Sequence, residues 1–375
     1  MRGKLLPAHY LLIPSSLIIL SCQSTPIPLP QSTLLIYRFN PPAFIEYSLD
    51  YRPIDEIPFA IPPSCGLFNT FPAPLGNFLV IELSCPNGQT VLFLDASTSL
   101  SAGSASVTQP VTASDSHFLA WTGDGTAAYL KADSLGSPHI LRAYVGGRQD
   151  ETDITEYAYD VSYNPAGEAI TFALSRGLGF GSELYLANRD GRNETLLSAD
   201  QYNYLSFARW SPDGKQIAFI KIPDTQTPFT VGELWVMDGD GSHARKLADV
   251  DAGHGYAANW SPDGGQIAFV LRENPEDDRA DQSSDALVSN IYIVDVETGE
   301  IIQVTSFTEG RLETPIWSPD GNTLAFNAVV NGRMKVQVVN AGRVAPNESG
   351  GAYRDPGEIL FLETESACCP VWMRK

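Results

Sequence analysis

Three aspartates recur in nearly identical words. Asp213, Asp263 and Asp320 each lie in WSPDG, at residues 210–214, 260–264 and 317–321. A carboxylate repeated in this way could ligate a metal or act as a general acid. A turn explains the pattern better. Proline presets φ, aspartate bonds to nearby backbone N–H groups, and Gly214, Gly264 and Gly321 take positive φ cheaply. A catalytic acid is not needed in every repeat, so these six residues read as structural.

Other candidate chemistry is sparse. Ser137 and His139 occupy alternate positions of one strand, which does not make a nucleophile–base pair. No G-x-S-x-G elbow occurs. "GLGFGSE" (177–183) has phosphate-loop composition but lies between strands, so it reads as a hairpin loop. "DGDGSHA" (238–244) lacks the further acidic ligands of a calcium loop and falls where a strand must turn. The run at 272–286 holds six acidic residues against two arginines and reads as a solvated insertion. Histidine occurs five times, at 9, 117, 139, 243 and 254, with no metal-binding spacing. The residues point to no metal and no cofactor.

The elements that carry these residues repeat. Aromatic starts fall at 71, 121, 163, 210, 260 and 317, spaced 42 to 57 residues apart, the period of propeller blades. Within a unit, Trp210 ends one strand and SPDG turns. "KQIAFIK" alternates as a second strand, "ELWVMD" forms a third and "ARKL" begins a fourth. The terminal "PVW" (370–372) matches "PIW" (315–317), so residues 367–372 read as a first strand whose partners lie elsewhere. "TLLIYRF" (33–39) and "FIEYSL" (44–49) supply them. The fold class is therefore all-β: one propeller of four-stranded blades closed by C-terminal and N-terminal strands. Seven blades are favoured, or six if the N-terminal strands are peripheral. The propeller spans 33–375, with full repeats from about 63.

The WSPDGxxIAF repeats resemble those of TolB-like propellers, strongly at 204–340 and faintly before about 150. The resemblance implies a periplasmic binding platform. It does not extend to the small domain that precedes the propeller in TolB.

The chain start has its own pattern. A basic head, "MRGK", precedes the apolar "LLPAHYLLIPSSLIIL", giving a signal over residues 1–21. Ile19-Leu20-Ser21-Cys22 resembles a bacterial lipobox, which implies lipidation of Cys22 and an exported, envelope-anchored protein. Residues 22–32 read as a tether, with prolines at 26, 28 and 30 favouring an extended spacer. Cys65, Cys85, Cys368 and Cys369 remain, and an even number in an exported chain suggests disulfides. Three pairings are possible, and a bridge reinforcing ring closure is among the expectations. The net charge of −20 over 375 residues, with no basic stripe, argues against nucleic acid and anionic lipid surfaces. Membrane attachment would come through the N-terminal lipid alone, on a monomeric propeller.

Topology assigns a face. If SPDG joins strands one and two, the variable loops share the opposite face. That face receives the residues just before or at each first strand: His117, Tyr157, Tyr204, His254, Tyr256, Arg311 and Glu313. Aromatic and charged groups there suit a protein, peptide or glycan ligand bound without chemistry. The alternative is a propeller lyase or glycosidase acting on carbohydrate in the central channel, which requires convergent ligands or paired carboxylates.

Overall fold

The structure is a computed structural model that describes residues 32–74, 78–95, 107–111, 116–134, 137–145, 147–151, 158–177, 179–225, 229–252, 257–341, 360–362 and 366–374. The signal, Cys22, the tether to residue 31, Tyr157, His254 and Tyr256 lie outside the described residues. Seven four-stranded antiparallel sheets form the ring of a seven-bladed propeller.

Blade 1 is composite: Ala367–Arg374 pairs with Ser32–Phe39, which is followed by Pro42–Tyr47 and Pro53–Pro58. Blade 2 holds Gly66–Pro72, Phe78–Cys85, Gly88–Asp95 and Val107–Val111. Blade 3 holds Ser116–Trp121, Ala127–Ser134, Ser137–Tyr144 and Gln149–Glu151. Blade 4 is Ala158–Tyr163, Ala169–Ser175, Ser182–Asn188 and Thr195–Asp200. Blade 5 is Asn203–Trp210, Gln216–Pro223, Val231–Asp238 and Arg245–Asp251. Blade 6 is Asn259–Trp260, Gln266–Arg272, Ser289–Asp295 and Ile301–Gln303. Blade 7 is Arg311–Trp317, Thr323–Val330, Arg333–Asn340 and Leu360–Phe361.

The WSPDG turn does its work locally and between blades. Asp213 Oδ1 accepts from Ser211 Oγ at 2.7 Å and from the Lys215 N–H at 3.1 Å, while Gln216 N donates to Ser211 Oγ at 2.9 Å. These bonds, Ser211 first and Lys215 next, hold the Asp213 carboxyl down at about 2. Ser261–Asp263 and Ser318–Asp320 repeat the arrangement. Gly214, Gly264 and Gly321 sit at φ 71°, 74° and 72°, which only glycine adopts without strain. Each glycine lies against a proline of the preceding blade: Pro165, Pro212 and Pro262. Two of the three WSPDG tryptophans staple neighbouring blades together. Trp260 Nε1 donates to Arg209 O at 2.9 Å and Trp317 Nε1 to Asn259 O at 3.1 Å.

Blade 2 shifts the expected register of the repeat. Trp121 Nε1 donates to Phe71 O at 2.9 Å, so Phe71 fills the acceptor position of Arg209. Pro72 then stands where tryptophan stands elsewhere, because Ala73 N bonds to Phe78 O as Ser211 N bonds to Gln216 O.

The cysteines pair as Cys65–Cys85 and Cys368–Cys369. The expected bridge across the closure is therefore not formed; each disulfide stays within its own blade. Both pack into the core between blades 1 and 2, with Leu35, Tyr37 and Leu79. Closure rests on backbone geometry instead. The ladder slips between Leu35 and Tyr37, where Cys369 adopts φ 62°. This bulge turns backbone groups out of the ladder. The Cys369 N–H donates to Asn327 Oδ1 of blade 7 at 3.0 Å, and its carbonyl accepts from Thr70 Oγ1 of blade 2 at 3.2 Å.

Candidate functional site

First strands run toward the SPDG turns, so the opposite face carries the second-to-third hairpins and the links between blades. The four described residues that the sequence placed there fall in three blades. His117, in blade 3, has a half-exposed ring whose Nδ1 lies 3.1 Å from Oε1 of the buried Glu82 in blade 2. Tyr204 opens blade 5 and meets Tyr159 edge-on at 6.2 Å. Burial and then the Asp224 charge push its hydroxyl up. Arg311, in blade 7, donates from Nε to Glu313 Oε1 at 2.7 Å and approaches Asp285 Oδ1 at 3.6 Å. Glu313 is buried beneath it. Each residue engages its own neighbour; no described contact unites His117, Tyr204 and Arg311.

The insertion at 272–289 keeps its acidic side chains unburied, as its charge suggested, but it is more than a plain loop. It contains a helix, Asp278–Gln282, with Ala280 fully buried. Arg272 is buried between Asp251 Oδ1 at 3.7 Å and Asp281 Oδ1 at 2.6 Å. Phe229 N donates to Asp281 O at 3.3 Å, which joins this insertion to the neighbouring one at 222–231. A local reading of charge misses this because the guanidinium and one carboxylate lie on different blades.

The feature missing from the sequence reading is an exposed aromatic pair. Phe180 and Tyr202 are 66% and 78% exposed. They project from two loops locked against one another. Gly181 stands so close to the next loop that a Cβ there would lie 2.1 Å from Asp200 O. Asp224 knots both loops: its Oδ2 accepts from Gly179 N at 2.7 Å and Gly181 N at 3.1 Å, and its own N–H donates to Tyr202 O at 2.9 Å. Beneath Tyr202, Asp200 Oδ1 accepts from Tyr202 N and Asn203 N at 2.9 and 3.0 Å. The signal available in the sequence was an aromatic embedded among glycines.

Three carboxylates near this face are held below their usual range. Arg176 keeps Glu183 below the usual range, and Lys246 does the same for Glu233. Burial raises Asp200, yet the bonds from Tyr202 and Asn203 and the Lys221 charge together bring it below the ordinary value. A general acid for glycoside cleavage needs the reverse shift. Among the described residues, no group of three His, Cys, Asp or Glu side chains converges as a metal site requires.

No protein-family description matches the chain, and no curated protein matches it. Solved structures do. An oligogalacturonate lyase in complex with manganese is 15% identical, covering 92% of this chain and 98% of its own at TM-score 0.52. A putative 6-phosphogluconolactonase from Bacteroides uniformis is 14% identical, covering 91% and 99% at TM-score 0.54. TolB from Acinetobacter baumannii is 16% identical, covering 89% and 79% at TM-score 0.49. At such identities a likeness speaks for fold alone. The chain is a seven-bladed propeller, an architecture it shares with proteins as different as a lyase and a putative lactonase.

Proposed function

We propose that the chain is a non-catalytic binding platform of the bacterial cell envelope, anchored by a lipid on Cys22. It recognises a protein, peptide or glycan on the face opposite the SPDG turns. The observation that carries this reading is the pair Phe180 and Tyr202. Two large aromatic rings stay exposed on loops that Asp224 and Gly181 lock together. Rigid, exposed aromatics supply contact area at little ordering cost, as recognition surfaces require. Charged groups in several blades on this face favour the same reading. Glu82 with His117, Asp200 with Lys221, and Glu313 with Arg311 are engaged with one another, which suits a scaffold rather than an acid–base pair. The resemblance of the repeats to TolB-like propellers supports an envelope setting.

One fractionation experiment separates the two parts of the proposal. Cys22→Ala is expected to move the protein from membranes to the soluble fraction. Phe180→Ser with Tyr202→Ser is expected to stay membrane-bound and recover its partner at least about tenfold less well. A Cys22→Ala protein that still sediments with membranes refutes the anchor; undiminished recovery by the double variant refutes the face.

A further inference from the structure

The tether enters the ring at one corner of blade 1. Ser32, the first described residue, pairs with Arg374 at the SPDG end of the closing strand, so the tether joins on the SPDG side. Continuing the register that sets Leu34 against Tyr47 places the hairpin 48–52 beside Ser32. This hairpin is fixed in place. Ser48 N donates to Arg52 O at 3.0 Å, and the Tyr51 hydroxyl bonds to Thr323 Oγ1 of blade 7. Leu49 in the hairpin is 48% exposed, and Ile54 just beyond it is 55% exposed. Asp50 and Arg52, the charged residues of the hairpin, face each other at 3.1 Å.

Exposed apolar side chains divide by side. Among the described residues, Leu49, Ile54, Leu196 and Ile301 stand toward the SPDG side, while Phe39, Phe68, Phe180 and Tyr202 stand toward the opposite one. Aliphatic groups thus accompany the tether, and aromatic rings accompany the recognition face.

The reach of the tether decides which side can meet the membrane. Residues 22–31 lie outside the described residues, but whatever their path, ten peptide steps from Cys22 to Ser32 span at most about 36 Å. To bring the recognition face to the bilayer, the tether must first cross the two outer strands of blade 1, spaced about 4.8 Å apart. It must then run the height of the blade, about 26 Å for the eight residues Ser32–Phe39. That path uses the whole length and leaves none for insertion of the lipid. The SPDG corner of blade 1 needs no such detour.

We propose that the blade 1 corner carrying Leu49 and Ile54 rests on the lipid bilayer that holds Cys22. The inference rests on the lipid-anchor reading and adds to it the surface that meets the membrane. The two aliphatic side chains enter the boundary between headgroups and acyl chains, where apolar groups leave water. The lipid supplies attachment, and the corner supplies orientation. Phe180 and Tyr202 then point away from the membrane. The partner of the recognition face therefore arrives from the aqueous side, not from within the same bilayer.

Vesicles of phosphatidylcholine, which carry no net charge, test the contact with the full chain purified from membranes. A fluorophore is attached at Arg52→Cys beside the corner or, in a second protein, at Tyr202→Cys on the recognition face; both positions are exposed. The vesicles carry nitroxide on their headgroups. The label at 52 is expected to lose most of its emission and the label at 202 almost none. Adding Leu49→Glu with Ile54→Glu should leave the protein floating with the vesicles and restore most of the emission at 52. Both side chains are exposed, so the variant should fold normally, as thermal unfolding will show. Equal losses at 52 and 202, or a loss at 52 that survives the two glutamates, overturn the proposal. In either case a floating protein leaves the anchor and the recognition face standing. An unaltered chain that fails to float refutes the anchor, and this contact with it.

Discussion

Removing the last nine residues, 367–375, should abolish cooperative folding. The closing strand is the innermost strand of blade 1, and its Ala367, Cys368, Cys369, Val371 and Met373 are all buried. Val371 and Met373 each contribute about 1.5–3 kcal/mol by burial alone, against a total stability of about 5–15 kcal/mol. Loss of the strand also exposes Leu35 and Tyr37 of its partner and leaves that partner as an open edge. The Asn327 and Thr70 bonds that tie blades 7 and 2 to Cys369 vanish with it. The truncated chain should aggregate or unfold without a sharp transition, as read by calorimetry. Val371→Ala, a milder change, should cost about 1–3 kcal/mol while keeping a single transition. A truncated protein that melts cooperatively near the full-length temperature would show that closure lies elsewhere.

Arg272→Ala should cost about 3–5 kcal/mol, an effect out of proportion to one residue in an acidic insertion. The guanidinium is 1% exposed, as is the Asp251 side chain that it approaches. Its Nε and Nη2 make no hydrogen bond, so burial is only partly offset by the 2.6 Å contact with Asp281. An arrangement of this kind is costly to break and contributes modestly when intact. Alanine removes the guanidinium that the buried Asp251 carboxylate faces. Replacing both partners by apolar residues, Arg272→Met with Asp251→Leu, should therefore recover most of the loss. The insertion at 273–288 should also become protease-sensitive in Arg272→Ala, since Asp281 no longer ties its helix to the blade. Urea unfolding and limited proteolysis read both effects. A loss under about 1 kcal/mol for Arg272→Ala, with the insertion still resistant, would contradict the account.

The two cases mark what the residues disclose in order and what they do not. Trp210, Trp260 and Trp317 with their SPDG turns make strand boundaries local, because serine, aspartate and glycine satisfy one another within six residues. The closing strand was legible for the same reason: "PVW" repeats "PIW" and needs partners. Blade 2 blurred because Pro72, Ala73 and Leu75 stand where tryptophan, serine and aspartate mark the turn elsewhere. Contacts between blades were not legible. Arg272 and Asp251 stand 21 positions apart and meet only across a blade boundary. The loops that carry Phe180 and Tyr202 meet closely only because Gly181 admits the backbone at Asp200. Of the rim residues read from sequence, Arg311 and Glu313 prove engaged in an ion pair and His117 in a contact with Glu82, a property that residue type alone does not reveal.

The central claim is that ligand meets the face opposite the SPDG turns. Its most direct measurement is site-specific photocrosslinking in intact cells. A photoreactive residue is placed at Tyr202 on that face, and in a second protein at Lys215 in an SPDG turn. Both positions are exposed, so accessibility does not decide the outcome. The account predicts one discrete adduct from position 202 and none from 215. Adducts from 215 alone, or equal yields of the same adduct from both, would contradict it.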